Sequence, residues 1–194
     1  QKLRLQVYFI DNDEYFPSKQ MFHDVEGNFM SNNDERMIFY CKGVIETVRK
    51  LGWSPDIIHC QGWFASLVPM YIKKLYSDDP LFEDVKIIYS VFDNLFEGVL
   101  SDTLHEKLLF ENLKESEVAS LKASNITNLH KFAIDYADAV VQASSDIDKD
   151  VLEHIKSSGK PFMQYAGAED YIDAYQNFYE QFIEEEKVVV LTEE

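Results

Sequence analysis

Short apolar runs of strand length alternate four or five times along this chain with stretches whose apolar residues recur at helical spacing. That alternation constrains the fold more than any other feature. A strand followed by a crossover helix and a further strand is the parallel βαβ unit, and its crossovers are right-handed. The strand-like runs are Leu3 to Ile10, Asp56 to Cys60, Lys86 to Phe92, Ala139 to Ala143 and Pro161 to Tyr165. Helices are predicted from Asn33 or Asp34 to Gly52, from Gly62 to Tyr76 with Pro69 as a kink, over Ile126 to Tyr136, and over Ile147 to Lys156 capped by Ser144 or Ser145. Short helical pieces are expected between Asp93 and Ser124. The fold class is therefore α/β: a Rossmann-like parallel sheet with helices on both faces. Ligands of such sheets collect beyond the carboxyl ends of the strands, so function is expected in the loops that begin at Asp11, Cys60, Phe92 and Ser144.

At 194 residues and 46% apolar, the chain can bury one core, with no linker or repeat that marks a second domain. Residues 1–165 are read as the Rossmann-like domain, 166–186 as a terminal helix packing on it, and 187–194 as a short edge strand or tail. The chain enters a strand-like run directly at its start, which predicts that earlier strands of the domain lie upstream of Gln1. In the terminal helix, Tyr171, Ile172, Tyr175, Phe178, Tyr179, Phe182 and Ile183 form one aromatic stripe, which packs on the sheet or serves as a partner surface.

A net charge of −17 repels both nucleic acid and anionic membrane, so neither is expected as a partner. No apolar run approaches the roughly 20 residues of a membrane span. Cys41 and Cys60 are too few for a disulfide framework or a zinc site and read as reduced thiols, which with no signal segment predicts a cytoplasmic protein. The sequon at Asn125 reads as chance on the same grounds. No glycine-rich phosphate loop occurs, so no nucleotide cofactor is expected. Asp11, Asp13 and Glu14 look like a calcium loop but lack its glycine and distal glutamate, so no metal ligands are assigned.

His59 closes one strand-like run directly before Gln61, Gly62 and Trp63. A histidine there is as readily structural as functional. Trp63 either stacks on a sugar ring or closes the core. His23, His105, His130 and His154 carry no signal.

Several segments together resemble the N-terminal catalytic domain of bacterial glycogen synthases and plant starch synthases. They are Tyr8-Phe9-Ile10 with Glu14-Tyr15-Phe16, then Asn33-Asp34-Glu35-Arg36, then the continuous run from Leu51 to Trp63. Ser90 to Asn94 with Gly98 follows, and then Lys131 to Val141 leading to Ser144. The resemblance implies one half of a two-domain glycosyltransferase, which transfers glucose with retention from ADP-glucose to an α-1,4-glucan without a metal. It also implies substrate contacts at His59, Gln61, Trp63, Asp93 and Asn94.

The departures are specific. The family's strand-end motif reads His-x-His-Asp-Trp-His, and here Gln61, Gly62 and Phe64 replace the second His, the Asp and the third His. Phe92-Asp93 stands where the family has His-Asn. With imidazole donors lost and no nucleotide-binding second domain after Pro161, no residue is assigned as catalytic and independent turnover is not expected. The expected ligands are an α-glucan or a nucleotide sugar, and the expected partners a second copy or a partner synthase subunit. A glucan-binding or regulatory relative of the synthases is the alternative.

Overall fold

A computed structural model describes residues 5–17, 20–93, 96–110 and 112–190, the stretch 184–190 for its backbone alone. Helix α1 (Asn33–Leu51) ends at Gly52, whose left-handed backbone (φ 67°) lets its amide reach the carbonyls of Arg49 and Val48. Its buried stripe of Met37, Cys41 and Ile45 faces the core. Strand β1 (Ile57–Gln61) follows, then a 3-10 turn at Trp63–Ala65 and helix α2 (Val68–Leu75). Strand β2 (Lys86–Val91) leads through short helices α3 (Leu104–Leu109) and α4 (Glu115–Val118) to α5 (Ile126–Tyr136). Strand β3 (Ala139–Gln142), helix α6 (Lys149–Ser158), strand β4 (Phe162–Met163) and helix α7 (Gly167–Val190) complete the order.

The sheet is parallel throughout, in the order β1-β2-β3-β4, with His59 opposite Ile88 and Tyr89 opposite Val140. Each right-handed crossover steps in the same direction, so α2, α5 and α6 all lie on one face of the sheet. They pack side by side there, with α1 beside α2. The main core forms under them from Cys60, Ile87, Tyr89, Val91 and Val140, the inward positions of the strands. Lys160 closes the end of α5 by donating to the carbonyls of Ile134, Asp135 and Ala137 at 2.6–2.7 Å.

The opposite face is left bare by this winding, and α7 lies on it. Tyr175, Phe178, Tyr179 and Phe182, at i, i+3, i+4 and i+7, pack on Ile57, Ile88, Ala139, Val141 and Met163. Phe178 is buried there.

Several expectations are corrected. Residues 5–10 form no strand, and Leu5 and Phe9 are 85% and 89% exposed, because no described strand pairs with them. Pro69 lies in the first turn of α2, where its missing N–H costs nothing, and so starts the helix instead of kinking it. Asn32 takes the cap position of α1, since Asn33 and Asp34 are buried inside it and bond elsewhere. Asp148, not Ser144 or Ser145, caps α6 by accepting from the amides of Asp150 and Val151. The backbone at 187–190 continues α7 as helix and forms no edge strand.

Candidate functional site

Parallel strands end on one side of their sheet, so the ends of β1, β2 and β3 bring Gln61, Asp93 and Ser144 to one edge. Gln61 and Asp93 are exposed. Asp93 is tied across to the next strand end. Its backbone N–H donates to Ser144 Oγ at 3.1 Å, and the Ser144 hydroxyl donates to Asp93 Oδ1 at 3.0 Å. Gln142 in turn donates from its amide to the carbonyls of Ser144 and Ser145 at 2.9 and 3.2 Å, which fixes the loop that carries Ser144. From the sequence Ser144 reads as a helix cap at the start of a strand-end loop where function is expected. Its pairing with Asp93 spans 51 residues, and no local signal announces it.

After β1 the chain turns at Gly62, whose amide donates to the Ser90 carbonyl at 3.0 Å. Gly62 has φ 72° and ψ 175°, a region in effect reserved for glycine. Where the family pattern carries Asp, this chain therefore has both the glycine and a backbone that requires one.

His59 and Trp63 sit differently. His59 shares the α7 face of β1 with Ile57, and both its ring nitrogens are occupied. Nδ1 lies 2.6 Å from the Tyr179 hydroxyl of α7 and Nε2 lies 2.6 Å from Ser90 Oγ. A neutral imidazole has one donor and one acceptor, so one hydroxyl donates to the ring and the other accepts from it. Burial pushes His59 down to about 4 and Tyr179 up to about 12, which keeps both neutral. Trp63 is 2% exposed, packed against Phe22, Phe29, Phe64 and Phe96 at centroid distances of 4.7–6.2 Å. Of its two readings, the geometry is that of a ring closing the core. Asn94 lies outside the described residues.

On the side of β1 away from β2 a cavity of about 830 Å³ opens between the segment at Tyr8–Ile10, α1 and the strand. Gln61 and Arg36 line it. Arg36 is 2% exposed, and it donates to the carbonyls of Tyr15 and Met21 at 2.8 and 2.7 Å and to Asn33 Oδ1 at 2.6 Å. Its guanidinium therefore holds the loop before α1 in place. Within that loop Asn12 Oδ1 accepts from the amides of Glu14 and Tyr15, an Asx turn where the calcium-like residues cluster.

Residues 1–163 match the family described as starch synthase catalytic domain. This chain belongs to that family. Among curated relatives it is 36% identical over 157 residues to the glycogen synthase of Chlorobium luteolum, covering 80% of this chain and 31% of the relative. To the glycogen synthase of Chlorobium limicola it is 35% identical over 142 residues, covering 73% and 28%. The chain thus spans about a third of the length of these relatives. The starch synthase fold is met again in the catalytic domain of starch synthase IV from Arabidopsis thaliana, bound to ADP and acarbose. The TM-score is 0.55 at 17% identity, over 70% of this chain and 30% of that one. Among the described residues, no helix of this starch synthase-family chain is long and apolar enough to cross a membrane.

Proposed function

We propose that this starch synthase-family chain is the acceptor side of a retaining glucosyltransferase, which moves glucose from ADP-glucose onto an α-1,4-glucan. In this reading the described residues hold the glucan, and the donor half is supplied from outside them, by further chain or by a partner synthase subunit. One observation carries the proposal: the strand-end row of Gln61, Asp93 and Ser144 is polar without being cationic.

An uncharged glucan suits that row. Amide, carboxylate and hydroxyl groups bond sugar hydroxyls, and the Ser144 link holds the Asp93 carboxylate in one orientation. A departing diphosphate needs the opposite, fixed cations and donors aimed at developing charge. The residues next to the strand ends, Gln61 to Phe64, Phe92 to Asp93 and Ala143 to Asp146, include no Lys or Arg. Asp93 repels a phosphate at short range. His59 serves from behind the row, where its bonds to Ser90 and Tyr179 fix β1 and β2 against α7. The Arabidopsis relative bound to ADP and acarbose supports a nucleotide and a sugar chain as the ligands of the complete assembly.

Purified protein mixed with glycogen and radiolabelled ADP-glucose tests this reading. Co-sedimentation with glycogen is expected, weakened several-fold by Gln61→Ala or Asp93→Ala, with no label incorporated. Incorporation by the chain alone removes the dependence on an outside donor half. Absence of both binding and incorporation removes the glucan reading altogether.

A further inference from the structure

The outer side of α1 carries a second concavity of about 630 Å³, within the roughly 300–1,000 Å³ typical of ligand sites. It shares no lining residue with the cavity at the β1 edge. Glu35, Phe39 and Lys42 line one side at i, i+4 and i+7, turned away from the buried stripe of Met37, Cys41 and Ile45. Phe110 and Lys107, from the end of α3, line the other side, with Tyr15 against Phe39 at a centroid distance of 5.1 Å.

Two features give this groove a chemistry. Phe110 is 89% exposed, with its ring open to solvent at the rim. Beside it Lys107 bonds Glu35 at 2.8 Å and is anchored by the fully buried Asp34 at 2.6 Å, so an ammonium and a carboxylate stand side by side in fixed positions. An apolar helix or acyl chain in the groove would strip water from Lys107 and Glu35 without replacing it. A polyanion meets a chain of net charge −17. A pyranose satisfies both features, because its C–H face covers an aromatic ring while its rim of hydroxyls bonds charged groups.

We infer that this groove is a second α-glucan-binding site, with Phe110 as the stacking platform and the Glu35–Lys107 pair as the hydroxyl partners. The choice of glucan rests on the function proposed above; the position of the site does not. A chain held at two places stays on a branched glucan when either contact releases, so the groove raises avidity for the polymer more than affinity for a short oligosaccharide.

Calorimetric titration with maltoheptaose tests the groove. Phe110→Ala is expected to weaken one class of sites about tenfold. Phe110→Trp is expected to preserve it. Neither variant should shift the thermal midpoint, since the ring is exposed. Gln61→Ala serves as the comparison at the strand ends. Unchanged binding in Phe110→Ala together with weakened binding in Gln61→Ala overturns the groove and leaves the strand-end reading intact. Weakened binding only in Phe110→Ala supports the groove and moves the glucan away from the strand ends. A wild-type chain that binds no maltoheptaose overturns both.

Discussion

Burial makes His59 a neutral hydrogen-bond bridge between Ser90 and Tyr179. Its pKa is held down to about 4, and His130, bonded to Tyr89 at 2.8 Å in the main core, is likewise held down to about 4. In both cases desolvation is the leading cause. The unfolded chain takes up protons at both histidines as pH falls below 6.5, the ordinary value for a histidine, and the folded chain does not. Their contribution to stability is therefore complete above that value and is lost progressively as pH falls toward about 4. Lowered carboxylates such as Glu46 begin to act only below 4.5, so the histidines dominate the window above it. Urea unfolding at about pH 7 and about pH 5 should show a loss of roughly 2–4 kcal/mol at the lower pH, shared between the two histidines. Equal midpoints at the two values would refute the assignment. Tyr179→Phe removes a partner of His59 Nδ1 and should cost about 1–2 kcal/mol at neutral pH.

At the scale of elements, the sheet winding explains why α7 exists in its position. One face receives every crossover helix, and α7 supplies the cover for the other through Phe178 and its neighbours. Phe178→Ala should destabilise the fold by about 3–4 kcal/mol, because the ring is removed from a packed interface with Ile88 and Val141. Differential scanning calorimetry measures the loss, and a midpoint within a degree or so of wild type would show that α7 contributes little to the sheet. This helix was legible in the sequence from its aromatic stripe, and α5 was legible to the residue from Ile126 to Tyr136. The strand ends were legible too, and with them Gln61 and Asp93. Long-range consequences were not. Residues 5–10 have the composition of a strand, but a strand also needs a partner, and pairing is not encoded in one segment. Ser144 reads locally as a helix cap, yet Asp148 lies at the position where the first amides of α6 converge, which frees Ser144 to meet Asp93.

Among the described residues, β1 stands at one border of the sheet and β4 at the other. β1 pairs only with β2 among the described residues, and its five residues, Ile57 to Gln61, carry no Lys, Glu or Pro to deter another strand. Alongside it, Leu5, Val7 and Phe9 are 85%, 65% and 89% exposed. Ile10 anchors the end of this stretch on α1, where a Cβ at Gly43 would come within 3.2 Å of its Cδ1. Exposed apolar side chains beside an uncharged strand edge are the arrangement that natural sheets protect against. The large net negative charge opposes association at long range, but salt screens it over about 10 Å at 0.1 M, while apolar contact is unaffected. Self-association should therefore rise with both protein concentration and ionic strength, and Phe9→Lys should suppress it by placing a charge on the exposed face. Light scattering behind size exclusion, run across a concentration series at low and moderate salt, reads this directly. A mass that stays at one chain throughout, or that is unaltered by Phe9→Lys, would mean that the β1 border is closed by something other than charge.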